Sequence, residues 1–144
     1  MLADMTDTLT RAERSRLMAK IRGKNTGPER AVRSLLHRAG YRFRIHVRGL
    51  PGTPDVVLPK YRTVVFVHGC FWHRHRGCKI ATMPHSHVAF WTEKFRRNVA
   101  NDARHRRRLR RLGWQVVVVW SCQLKHPDRI LAKIEQALRP RRRI

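Results

Sequence analysis

From His68 to His87 the chain runs through twenty residues of histidine, cysteine, arginine, glycine and proline with no apolar period. A loop of that length inside a compact domain needs something other than apolar burial to order it. Candidates stand within it: Cys70, His75 and Cys78 fall inside nine residues, and Cys122 lies alone further on. These account for all three cysteines. An odd count with no secretory signal argues against a disulfide framework and for a reducing, cytoplasmic setting. Three thiols and an imidazole are the donor set of a structural zinc site. By spacing alone, His73, His85 and His87 compete with His75 for the fourth place. The alternative is that the thiols are simply small buried apolar groups.

Periodic segments surround this loop. Thr10 and Glu13 form a capping-box pattern that opens a helix with Leu17, Met18 and Ile21 on one face, stopped by Gly23. Thr26-Gly27-Pro28-Glu29 repeats the pattern, and Val32, Leu35, Leu36 and Ala39 recur at helical spacing up to Gly40. Tyr41 to Val47 alternates apolar with basic residues, as a half-buried strand does. Asp55 to Leu58 and Thr63 to Val67 read as two sheet-centre strands joined by a short turn. Val88 to Leu112 reads as a long helix ending at Gly113. Gln115 to Trp120 reads as an apolar strand, and a last helix runs from Pro127 or Asp128 to Leu138. The order predicts an α/β fold, a mixed sheet flanked by helices. One domain spans residues 10–138, between a flexible tail at 1–9 and a basic tail at 139–144. If the strands at Thr63 and Gln115 are parallel neighbours, their C-terminal ends bring Cys122 beside Cys70.

Thirty-three Lys and Arg against nine Asp and Glu leave a net charge of +24, the sign and size that a phosphate backbone attracts. No apolar run of roughly 18 residues is present to suggest a membrane span. Nucleic acid is therefore the expected partner. Among the few acidic residues, Asp102 shares a narrow helical stripe with Trp91, Phe95, Val99 and Leu109, which turns its carboxylate inward, where it needs a partner such as His73 or an arginine. Pro54-Asp55 at the start of a strand is how a hydrolytic metal site often begins. Glu29 completes a capping box whether or not it has another task.

The run Val64-Val65-Phe66-Val67-His68-Gly69-Cys70-Phe71-Trp72-His73, with Pro54-Asp55 upstream, closely resembles the very short patch repair endonucleases. The resemblance extends from about Arg14 to Cys122 and takes in Gly27-Pro28-Glu29-Arg30, Leu50-Pro51-Gly52, Phe90-Trp91, Asn98-Val99, Asp102 and Gly113-Trp114. It implies a restriction-endonuclease-like sheet with a structural zinc loop, and it selects His75 to join Cys70, Cys78 and Cys122 as zinc ligands. It further implies that Asp55 and the Val67 carbonyl hold catalytic Mg²⁺. Glu29 and His68 would reach water in the outer shell of that cation, and His73, oriented by Asp102, would serve as acid/base. Phe71, Trp72 and Trp91 would enter the base stack at a mismatch, with Met18 facing the minor groove. The acidic-x-Lys motif usual in restriction-like nucleases is missing: Val67-His68-Gly69 stands in its place. The family commonly has Thr where Val67 stands, a change without consequence if the ligand is the carbonyl. Gly77 is an extra residue in the zinc loop, and Arg74 and Arg76 stand where relatives are richer in histidine.

The implied reaction is hydrolysis of one phosphodiester on the 5′ side of the T in a G:T mismatch, the lesion left by deamination of 5-methylcytosine. The expected partner is double-stranded DNA carrying that mismatch, bound by a monomer in the bacterial cytoplasm at the nucleoid. Recruitment of repair proteins is left open. The alternatives are a nuclease with another mismatch or site preference, a restriction-type double-strand cutter, and a non-catalytic zinc DNA-binding module.

Overall fold

Two helices end in the same way. Gly40 (φ 88°) and Gly113 (φ 90°) take the left-handed conformation that costs glycine least. In each case the following residue reaches back: Tyr41 N–H donates to Leu36 O at 3.1 Å and Trp114 N–H to Leu109 O at 3.0 Å. Gly40 N–H and Gly113 N–H donate to His37 O and Arg110 O, both at 3.0 Å, which completes a Schellman cap on each helix. These helices are α1 (Gly27–Arg38) and α2 (Val88–Arg111), seen in a computed structural model that describes residues 27–139. The predicted helix at Thr10–Ile21, Met18 with it, and Thr26 of the second capping box lie outside those residues.

Three strands form the sheet: β1 (Val56–Leu58), β2 (Thr63–His68) and β3 (Gln115–Trp120), followed by α3 (Pro127–Leu138). β1 pairs antiparallel with β2 and β2 pairs parallel with β3, so the sheet is mixed, with β2 at its centre. Alternation sorts the side chains to two faces. Val56, Leu58, Val65, Val117 and Val119 pack against Val32 and Leu36 of α1 and Ile130, Ile134 and Leu138 of α3. Val57, Val64 and Phe66 pack against Leu109 of α2 on the other face. Helices therefore cover both sides, as the element order predicts, and each fully buried Val or Leu contributes roughly 1.5–3 kcal/mol.

Three expectations are corrected. The segment from Tyr41 to Val47 is not a strand: only Arg44 bridges to Val57, each N–H donating to the other's carbonyl at 2.8 Å. His46, at φ 53°, turns the chain away at once, and Ile45 is left 40 % exposed. β1 is accordingly an edge strand of a three-stranded sheet and not a central one, although all three of its side chains are buried. Within the α2 stripe, Trp91, Phe95 and Leu109 are buried as predicted, but Val99 is 46 % exposed. Asn98 takes the inward place instead, donating to Trp72 O at 3.0 Å.

Candidate active site and metal centre

The register of β2 on β3 runs from Thr63↔Gln115 to His68↔Trp120, so both strands end level. The residues that follow, Gly69-Cys70 and Ser121-Cys122, therefore leave the sheet side by side. Cys70, His75, Cys78 and Cys122 converge there, with one ligand atom from each lying within 4.8 Å of all the others. His75 Nδ1 is 3.6 Å from Cys70 Sγ and 3.4 Å from Cys122 Sγ. A tetrahedral zinc with sulfur at ~2.3 Å and nitrogen at ~2.0 Å separates the two donor types by about 3.5 Å, so the spacing fits. The thiols are unequal. A backbone hydrogen bond at Ile80 lowers the Cys78 pKa, while burial and the neighbouring Cys70 push Cys122 up to about 11. The His75 ring stacks on Trp120 with centroids 4.3 Å apart, which fixes its plane.

Local contacts shape the loop around this centre. Ser121 Oγ accepts from Cys70 N–H at 3.2 Å and lies 3.2 Å from Cys70 Sγ. Arg74 donates to Ala81 O at 2.9 Å and Thr82 O at 3.0 Å while its guanidinium sits 4.1 Å from the Phe95 ring centroid. One side chain thus ties the far half of the loop to α2. Phe71, Trp91 and Phe95 form an apolar cluster beneath it, with Trp72 packed at the edge.

Beside this cysteine–histidine cluster lies a pocket of about 500 Å³ whose lining includes Glu29, Asp55, Val67, His68, Trp72, His73 and Asp102. Asp55 stands immediately before β1, and its Oδ2 accepts from Val67 N–H at 2.6 Å. Burial, reinforced by the charge of nearby Glu29, raises its pKa to about 6 against the help of that N–H. An ionised oxygen donor held at such a cost is suited to a hard divalent cation, and Val67 lines the same pocket. Glu29 is 8 % exposed and accepts from Arg33 Nη2 at 3.1 Å, one helical turn away.

His73 Nδ1 lies 2.7 Å from Asp102 Oδ2. The His73 ring stacks on His68, with centroids 3.9 Å apart and planes 6° from parallel. His68 is 4 % exposed, and burial, with the neighbouring His73 charge next, lowers its pKa to about 3. It is therefore neutral at working pH. Its Nδ1 is buried with no hydrogen-bond partner among the described residues, an orphan polar atom of the kind that an ordered hydration shell satisfies. The pocket thus joins a desolvated carboxylate, a carboxylate-oriented imidazole and a neutral imidazole, the parts needed for cation-assisted proton transfer at a phosphate.

The family model described as DNA mismatch endonuclease Vsr matches residues 6–79. The DNA mismatch endonuclease Vsr of Escherichia coli K12 is 41% identical over 126 residues, 88% of this chain and 80% of its own length. This chain belongs to the Vsr family. Further relatives are the type II nicking enzymes V.XorIIP of Xanthomonas oryzae pv. oryzae and V.NmeAIP of Neisseria meningitidis. The first is 50% identical over 136 residues, 94% of this chain and 99% of the relative. The second is 44% identical over 122 residues, 85% and 86% respectively.

Of the residues that the Vsr resemblance singles out, the pocket gathers Asp55, Val67, Glu29, His68, His73, Asp102 and Trp72. Phe71 and Trp91 sit apart, 7 % and 5 % exposed in the aromatic cluster. Sequence reasoning passed over Ser121 and His105, and it noted Asn98 and Arg74 without giving either a task. Ser121 could have been found by its place beside Cys122. Asn98 and His105 left no local signal, since Trp72 and Gly52 are distant in sequence, and Arg74 bonds carbonyls of an irregular loop whose path has no periodic pattern. His105 matters because a Cβ on Gly52 (φ 75°), in the loop before Asp55, would stand 2.9 Å from His105 Cβ.

Proposed function

We propose that this chain is a DNA endonuclease that nicks one strand of duplex DNA on the 5′ side of the T in a G:T mismatch, beginning very short patch repair. The observation that carries this reading is the His73–Asp102 pair sharing one pocket with the desolvated Asp55, in a member of the Vsr family. Relatives that are named nicking enzymes favour a single cut over a double-strand one.

Asp55 and the Val67 carbonyl would hold Mg²⁺, and Cys70, His75, Cys78 and Cys122 would hold a structural zinc. Bound at Asp55, the cation supplies charge stabilisation at the scissile phosphate. Asp102 accepts from His73 Nδ1, which leaves Nε2 as the nitrogen that takes or gives a proton. It also stabilises the imidazolium when that forms. His68 is neutral, so no charge repulsion from it opposes protonation of the ring stacked on it. Glu29 orders water at the pocket wall.

The three-stranded mixed sheet is read as the core of a restriction-endonuclease-like fold, within one domain over residues 10–138. Trp72, at the pocket rim, is the best placed of the aromatic residues to enter the base stack. Phe71 and Trp91 would have to leave their cluster, and Met18, outside the described residues, would face the minor groove. The enzyme works as a monomer on DNA in the bacterial cytoplasm. Among the described residues no helix is long and apolar enough to cross a membrane.

The test is a nicking assay on matched substrates. A cut in a G:T duplex that depends on added Mg²⁺ and is absent from the G:C duplex supports the reading. Equal cutting of both duplexes, or cutting of both strands, overturns it.

A further inference from the structure

The alternation Tyr41-Arg42-Phe43-Arg44 looks like a strand but does not form one, so its aromatic and basic residues are free to serve another purpose. They line a second pocket of about 450 Å³, together with Gly40, Pro59, Lys60 and Tyr61. It lies at the other end of β1 from Asp55, about 13 Å away at the rise of an extended strand. It therefore shares no lining residue with the catalytic pocket.

Its chemistry is consistent. Tyr41, Phe43 and Tyr61 each rest one side on the core and give the remainder to the pocket. Tyr41 and Tyr61 stand edge to face with centroids 6.0 Å apart, so their ring planes form a corner. Arg42, Arg44 and Lys60 are exposed around that corner, and Lys60 Nζ lies 5.6 Å from the Tyr61 centroid. No Asp or Glu lines the pocket. The carboxylate of Glu135, close by, is engaged: it accepts from Tyr41 Oη at 2.7 Å.

Aromatic surfaces with three cations and no carboxylate match a nucleotide, base on ring and phosphate on cation. The concavity decides between duplex and single strand. A duplex keeps its bases stacked inside and offers only phosphates to a convex contact, whereas an unpaired base can enter and stack. We propose that this pocket is a second nucleic-acid site that binds an unpaired nucleotide of a single strand, with a base against Tyr61 or Phe43 and the flanking phosphates on Arg42, Arg44 and Lys60.

The experiment uses the full chain and reads no cleavage, so it stands or falls apart from the nicking activity. A fluorescent oligothymidylate carrying bromodeoxyuridine is bound, irradiated and mapped by peptide mass spectrometry. Adducts on Tyr41, Phe43 or Tyr61 are expected. Arg42→Ala with Lys60→Ala, both at exposed positions that leave the fold intact, should weaken the oligothymidylate by about tenfold at low salt and flatten its salt dependence by up to about two phosphate contacts. An oligouridylate arm tells a DNA strand from an RNA strand, tighter binding of either being support. Adducts confined to Trp72 and the catalytic pocket, or an unchanged affinity in the double variant, would overturn the proposal. So would displacement of the oligonucleotide by polyglutamate at equal charge, which would mark an acidic-polypeptide site.

Discussion

His73 Nδ1 and Asp102 Oδ2 stand 2.7 Å apart across 29 residues of sequence, one on the irregular loop and the other in the middle of α2. The carboxylate holds the imidazole in one tautomer and one orientation. His73→Ala should therefore lower the nicking rate by roughly 10²–10⁴ at saturating Mg²⁺, the usual worth of a general acid or base. Asp102→Asn should fall between that variant and wild type, because an amide still accepts the hydrogen bond but no longer stabilises the cation. Single-turnover rates on a G:T duplex check this. A wild-type rate for His73→Ala would remove the acid/base role.

Asp55 predicts a pH dependence of stability. Its folded-state pKa, about 6, lies above its ordinary 3.8, so the native state holds the proton more tightly than the unfolded chain does. Without divalent cation, stability should fall as pH rises from about 4 to about 6 and then level off. Asp55→Asn keeps the acceptor for Val67 N–H and loses the buried charge. Above pH 6 it should be more stable than wild type by on the order of 2 kcal/mol, after discounting for the water that still reaches the carboxylate. Added Mg²⁺ should raise the melting temperature of wild type alone, and the variant should not nick. Calorimetry of both proteins with and without Mg²⁺ is the measurement.

Zinc removal should loosen the loop at 69–87, which has few buried apolar side chains of its own. Protein purified without chelator should carry one zinc per chain. Cys122→Ala should release it and lower the melting temperature, since this ligand, two residues past β3, joins the loop to the sheet. Elemental analysis finding no zinc in wild type would refute the site.

Gly52→Ala should be destabilising by about 1–3 kcal/mol, because the added Cβ meets His105 at 2.9 Å and the backbone sits at φ 75°. His105→Ala in the same chain leaves the φ strain and His105 Cβ in place but removes the ring, so it should restore only part of the loss. Denaturant unfolding of the single and double variants measures both terms.

Duplex binding should weaken steeply with salt, each neutralised phosphate adding about −0.9 to the slope of log K against log salt. A nearly flat titration would contradict the reading of the +24 charge as a DNA-binding surface.

Sequence alone determined what depends on near neighbours. α1, α2 and α3 follow from apolar spacing, the first two ended by glycines able to take positive φ, β2 and β3 follow from short apolar runs, and the loop at 68–87 from its donors and its lack of any period. The extent of the Vsr resemblance named the pocket residues before any geometry was known. Tertiary structure decided what depends on distant partners. Tyr41 to Val47 has a strand's alternation, yet His46 turns it away after one bridge. Val99 sits in the apolar stripe of α2, yet Asn98 finds the inward hydrogen bond. Phe71 and Trp72 are adjacent in sequence, yet one is buried against Phe95 and the other lines the pocket. The reason is physical: a helix end or a strand period is set by sterics within a few residues, whereas burial and ligand convergence are set by which surface the rest of the chain brings alongside. The parallel register of β2 on β3 is the main such contact, for it brings Cys122 to Cys70.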